Sequence, residues 1–135
     1  MSEINYRGLS IPHTQLGANV TSNNLFDPNE QVIFDFYEAN RARYRRVLDI
    51  GANIGGHSIL MARLGWEVRA YEPDPVHFDL LLKNAAAHDV QLGSAFTATR
   101  AAVSDRRGLQ PFVRILNNTT ASHLSGARDG YGPQE

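Results

Sequence analysis

The sequence predicts an α/β fold in which a parallel β-sheet is flanked by helices, and three observations predict it. Apolar periodicity along the chain runs helix, strand, helix, strand, helix, strand, the pattern of βαβ units joined by crossover helices. The short strand Val47-Leu48-Asp49-Ile50 runs straight into Gly51-Ala52-Asn53-Ile54-Gly55-Gly56 and then into apolar residues at helical spacing. Finally, 135 residues with 42% apolar and 20% charged content suit one domain with a core of its own.

Residues 1–25 read as a polar, irregular segment punctuated by Gly8, Pro12, Gly17 and Thr21-Ser22-Asn23-Asn24. In Asp27-Pro28-Asn29-Glu30, an Asp cap, a Pro at the first helical position and a Glu three after the cap announce a helix. Val32, Ile33, Phe36 and Tyr37 extend it over 28–42. Arg41, Arg43, Arg45 and Arg46 then suit a solvated helix C-terminus, where positive charge meets the negative end of the dipole. Ile59, Leu60, Ala62 and Leu64 mark a short helix stopped by Gly65. Glu67–Glu72 alternates as a second strand, ended by Pro73-Asp74-Pro75. Phe78, Leu81, Leu82 and Ala85 give a helix over 75–88, and Ala95–Val103 a third strand. Leu109–Leu116 reads as one more strand, which Pro111 assigns to a sheet edge. Asn117–Glu135 is loop-like, so the expected division is 1–25, 26–116 and 117–135.

Thirteen Lys and Arg against fourteen Asp and Glu leave a net charge of −1, which excludes a basic nucleic-acid coat. The absence of cysteine excludes disulfide scaffolds and thiolate metal sites. The N-terminus lacks a basic stretch leading into an apolar run, and no apolar run approaches the roughly 18 residues of a membrane span. Neither a nucleic-acid nor a membrane partner is expected, and the expected location is cytoplasmic.

A glycine turn between a parallel strand and its helix lets a ligand approach the backbone at the helix's positive end. Such ligands sit at the carboxyl ends of the strands. Asp49 closes the first strand, Gly51 and Gly55 shape the turn, and Glu72 closes the second strand 21 residues after Gly51. That is about the offset at which an acid reaches ribose hydroxyls, and a carboxylate suits a diol because both hydroxyls can donate to it. The dinucleotide pattern G-x-G-x-x-G is not met, because Asn53 stands at its second glycine, and no G-K-[ST] of a P-loop follows. Asp49 would repel a pyrophosphate and attract an ammonium. A ligand with adenosine at one end and an ammonium and sulfonium at the other, S-adenosylmethionine, fits better.

Val47-Leu48-Asp49-Ile50-Gly51-Ala52-Asn53-Ile54-Gly55 resembles the first motif of class I S-adenosylmethionine-dependent methyltransferases. With Tyr71-Glu72-Pro73-Asp74-Pro75, Phe78, and Ala102-Val103-Ser104-Asp105 followed by Gly108 and Phe112, the chain is most similar to the FkbM-type branch over residues 30–116. The resemblance implies a Rossmann-like class I methyltransferase fold with S-adenosylmethionine as cofactor. Gly51, Ala52, Asn53 and Gly55 would surround the methionine part, and Asp49 would face its amino group. Glu72 would bind the ribose, Pro73 and Asp74 would flank the adenine, and Ala102 would line the adenine edge. His57 and Ser58, opening the helix, are candidates for the methionine carboxylate. The implied reaction is O-methylation of a small-molecule hydroxyl on a sugar or natural product. That branch continues with an Ile-Asp-x-Glu-Gly type motif, which does not occur between Gly108 and Glu135. The expected sheet is therefore incomplete, with an uncovered first strand: either the chain is a truncated product or fragment, or a second copy or a partner chain covers that strand.

Two other readings stand beside this one. One is a non-catalytic S-adenosylmethionine-binding or accessory protein derived from a methyltransferase; the other is a nucleotide-cofactor oxidoreductase domain, which Asn53 and Asp49 disfavour. His13, His57, His77, His88 and His123 show no metal-ligand spacing and read as ordinary histidines, and no general base is nominated.

Overall fold

The computed structural model describes residues 3–127. In chain order it contains β1 (Glu3–Tyr6), β2 (Leu9–Pro12), a 3-10 helix (Ser22–Phe26), α1 (Pro28–Ala39), β3 (Arg46–Ile50), α2 (Gly56–Arg63), β4 (Glu67–Tyr71) and α3 (Pro75–Ala87). There follow β5 (Phe96–Thr99), β6 (Phe112–Val113), a second 3-10 helix (Thr119–Ala121) and β7 (His123–Leu124). Strands β3, β4 and β5 form a parallel sheet in that order, with Val47 opposite Val68, Ile50 opposite Tyr71 and Val68 opposite Phe96. Two consecutive βαβ units thus build a Rossmann-like α/β fold, as the alternation of elements predicts. No helix among the described residues is long and apolar enough to cross a membrane.

The helix starts follow the caps written in the sequence. Asp27 Oδ1 accepts from the N–H groups of Asn29 and Glu30, and Asp74 Oδ1 from those of Val76 and His77, each with Pro at the first helical position. Helix α1 stops at Ala39 rather than 42. There the Asn40 side chain donates to the Phe36 carbonyl, a local bond that competes with another helical turn. Strand β5 stops at Thr99 because the Ala101 N–H turns back to the Thr99 carbonyl.

Alternation along the strands puts Val47, Asp49, Val68, Ala70, Phe96 and Ala98 on one face. Buried side chains of α2 and α3, chiefly Ile59, Met61, Leu81 and Ala85, close over that face. Parallel sheets are normally covered on both faces, yet among the described residues no element closes over the second face. Leu48 and Ile50 on edge strand β3 are 61% and 60% exposed, with Arg69, Thr97 and Thr99 exposed beside them.

Three expectations are corrected. The N-terminal segment is not irregular throughout: β1 and β2 pair antiparallel across the two-residue turn Arg7-Gly8, whose φ values of 51° and 72° are those of the mirror-image turn that matches strand twist. Leu9 and Ile11 of β2 enter the core, and His88 beyond α3 accepts from the Ser10 N–H at 2.7 Å. The strand foreseen over 109–116 shrinks to β6 and does not join the parallel sheet. It pairs antiparallel with β7, because the chain reverses at the 3-10 helix capped by Asn118. Residues 117–127 therefore carry structure, and residues 128–135 of the predicted tail lie outside the described residues.

Candidate functional site at the glycine turn

The turn from β3 into α2 is held from three sides. The N–H groups of Gly51 and Ala52 both donate to the Tyr71 carbonyl at the end of β4. Buried Asn84 of α3 donates to the Ile54 carbonyl at 2.8 Å. Gly55 packs so closely on α3 that a Cβ there would lie 3.1 Å from Leu81 Cγ. Gly51 is the opposite case: its φ is 81°, and a Cβ would meet nothing within 4 Å. Asn53 holds φ at 53°, the left-handed region that asparagine tolerates better than most residues. Its Oδ1 is buried without a hydrogen-bond partner.

Glu72 binds this turn to the next loop. Its Oε2 accepts from the Asn53 N–H at 2.7 Å and its Oε1 from the Asp74 N–H at 2.8 Å, with the residue 5% exposed. Burial raises its carboxyl above the usual range against the lowering effect of those two bonds, with the nearby Asp74 and Asp49 charges adding to the rise. Each oxygen keeps a further lone pair for a ligand hydroxyl. Asp74 is fully buried. Besides capping α3, it takes the Arg114 guanidinium at 2.7 Å.

At the opening of α2, Ser58 is buried and donates to Asp49 Oδ2 at 2.5 Å, so its hydroxyl steadies the strand-end carboxylate. His57 stands in a chain of three groups. Its Nδ1 lies 2.9 Å from the Tyr37 hydroxyl and its Nε2 lies 2.9 Å from Glu30 Oε2. Burial, followed by the Asp49 and Glu30 charges, pushes the Tyr37 hydroxyl up to about 12. It therefore keeps its proton, and in the Nε2–H tautomer of the neutral imidazole it donates to Nδ1 while Nε2–H donates to Glu30. Glu30 is foreseen only as part of a helix-start signal and Tyr37 only as an apolar helix position. Both lie on α1 and are carried to α2 by packing. A carboxylate at the third helical position one helix before the turn is the sole signal that could have marked them.

Asp49, Gly51, Ala52 and Asn53 line one cavity of about 140 Å³, together with Glu30 and His57. Pro73 and Ala102 line another, of about 260 Å³, beyond the ends of β4 and β5. Glu72 links the two, bonded to Asn53 and directly preceding Pro73. Glu72, Gly55 and Asp74 line neither: Glu72 lies buried between the two cavities, Gly55 is packed under Leu81, and both Asp74 carboxylate oxygens are engaged within the protein. Among the described residues no group of three His, Asp or Glu side chains could hold a metal ion.

This is a strand–turn–helix site of the Rossmann-like class, defined by its sheet order and its glycine turn. No protein-family model matches the chain, and neither does any curated protein. Among solved structures it is similar to a SAM-dependent methyltransferase from Agrobacterium tumefaciens, at 17% identity and a TM-score of 0.49. The match covers 56% of this chain and 25% of that one, so this chain answers to a minor part of the other's length.

Proposed function

We propose that the chain binds S-adenosylmethionine across the Gly51–Gly55 turn and transfers its methyl group to a hydroxyl of a small molecule, as an FkbM-type O-methyltransferase. One observation carries the reading. The open turn at Gly51 borders a cavity that the strand-end carboxylate of Asp49 also lines, and Asn53 of the same turn keeps a buried Oδ1 without a hydrogen-bond partner. Such a lining suits an ammonium or sulfonium and opposes a pyrophosphate, which sets this reading above the oxidoreductase one.

The residues present fit the cofactor. Asn53 Oδ1 lacks a partner, Gly51 leaves room at the turn, and Glu72 has lone pairs free for ribose hydroxyls. Asp49, steadied by Ser58, would hold the ammonium, while Pro73 and Ala102 would border the adenine in the second cavity. Bound S-adenosylmethionine supplies a methyl carbon made electrophilic by the adjoining sulfonium. The chain's own part is to fix that end of the ligand and leave a face of the cavity for the acceptor, so that positioning supplies much of the rate. The exposed edge of β3 supports a second element of the reading, pairing with a second copy or a partner chain.

The test is calorimetric titration of the chain with S-adenosylhomocysteine, with NAD as control. Micromolar binding of S-adenosylhomocysteine alone, lost in Glu72→Ala, is expected. Tighter binding of NAD, or no binding of S-adenosylhomocysteine by the folded chain, would overturn the reading.

A further inference from the structure

The Glu30–His57–Tyr37 chain has no part in holding the cofactor as described above. It is nonetheless built like a proton-transfer device. Tyr37 donates to His57 Nδ1, His57 donates through Nε2 to Glu30, and both Glu30 and His57 line the cavity that also holds Asp49 and Gly51. The two side chains are about one third exposed, 33% for Glu30 and 29% for His57, so a ligand in the cavity can reach them. The Phe34 ring, 4.8 Å from the imidazole centroid, fixes the back of the histidine. A carboxylate that merely capped α1 would have no need of an imidazole and a phenol arranged in series behind it.

We propose that Glu30, backed by His57 and Tyr37, takes the proton from a hydroxyl substrate bound in this cavity. This rests on the methyl-donor reading above. As the acceptor oxygen forms its bond to the methyl carbon, the carbon–sulfur bonding pair stays on sulfur. The hydroxyl proton passes to the Glu30 carboxylate, so the donor's positive charge and the carboxylate's negative charge disappear together. The His57 Nε2–H holds the carboxylate in place and stabilises it while it is charged. The substrate class is thereby narrowed to acceptors whose hydroxyl can lie beside Glu30.

A group that takes a proton next to the transferred methyl must also feel the sulfonium charge. S-adenosylmethionine should therefore expel protons from this cluster, and the neutral thioether S-adenosylhomocysteine should expel fewer. The groups facing the Glu30 carboxylate are His57 from α2, Tyr37 from its own helix and Asp49 from β3. The experiment is calorimetric titration of the full chain with each ligand, in buffers of different ionisation enthalpy, from pH 5 to 8. At its maximum, the difference between the two ligands should reach about 0.3 proton, the amount that a half-unit displacement of a titration gives at its midpoint. Glu30→Gln should abolish the difference while S-adenosylhomocysteine still binds. Tyr37→Phe, which keeps both Glu30 and His57, should move the pH of the maximum, a change that a purely structural cluster would not show. Equal proton counts for two ligands that both bind would overturn the proposal and leave the cofactor reading standing. Failure of the folded wild-type chain to bind either ligand would overturn the cofactor reading, and this proposal with it.

Discussion

Replacing Gly51 by alanine separates backbone strain from ligand space, because the same chain supplies its own control. Gly51 and Gly65 have φ values of 81° and 90°, and at each a Cβ would meet nothing within 4 Å. An alanine in the left-handed region costs about 1–2 kcal/mol. For a chain of this size that lowers Tm by roughly 3–8 °C, and by the same amount at the two positions. Their surroundings differ: Gly51 lines the candidate cofactor cavity, whereas Gly65 lies in the turn between α2 and β4. A methyl group at Gly51 occupies space that the ligand needs. Affinity for S-adenosylhomocysteine should fall at least tenfold in Gly51→Ala, or about 1.4 kcal/mol, and stay within about twofold in Gly65→Ala. Thermal unfolding and calorimetry on the two variants read both quantities. Equal affinities would refute the placement of ligand against the turn. A much larger loss of Tm in Gly51→Ala than in Gly65→Ala would refute the claim that space there is open.

Asp74→Ala should cost about 3 kcal/mol in urea unfolding, because it removes the α3 cap and leaves Arg114 without its buried carboxylate; a loss below about 1 kcal/mol would contradict that account. His77 is 2% exposed, and burial holds its imidazole below the ordinary 6.5. The unfolded chain therefore takes up the proton first, and stability should fall as pH drops below about 6.5, by at most about 1.4 kcal/mol per pH unit. His77→Gln, which retains an N–H for Thr119, should flatten that slope in unfolding measured between pH 5 and 7. Leu48→Lys places a charge on the open β3 edge and should abolish any concentration-dependent association seen by sedimentation. A wild-type chain that stays monomeric at all concentrations would show that this edge does not pair with itself.

The parallel core was legible because its signals are local. A run of apolar residues ends at Gly51, Pro follows Asp at two helix starts, and Gly65 closes α2. That Asp49, Gly51, Ala52 and Asn53 lie along one cavity was legible for the same reason, since a strand, a turn and a helix read in sequence already say where they meet. The hairpin escaped notice because Arg7-Gly8 is a weaker turn signal than Asn-Gly or Asp-Gly, and only Leu9 and Ile11 alternate after it. Asp74 was expected beside a ligand, but its oxygens go to the α3 cap and to Arg114, forty positions away. No periodicity foretells such a partner. The pairing of Glu30 with His57 escaped for the same reason: 27 residues separate them, and only the packing of α1 on α2 brings them together.

The Thr119 hydroxyl donates to the Leu16 carbonyl at 2.6 Å, across 103 positions, and His77 Nε2 lies 2.7 Å from Thr119 Oγ1. The backbones meet there as well, with Gly17 bridged to Asn118 so tightly that a Cβ would lie 2.0 Å from the Asn117 carbonyl oxygen. For a chain emerging from a ribosome, these contacts impose an order of events. The β3–α2–β4–α3–β5 segment can assemble from neighbours as it is made, whereas Leu16 must wait until Thr119 has cleared the exit tunnel. The last knot to be tied is thus the one that joins the two ends of the described chain, and long-range closures of this kind are the slow steps of folding. Until then the imidazole of His77 stands in water, where it holds a proton more readily than burial lets it in the finished protein.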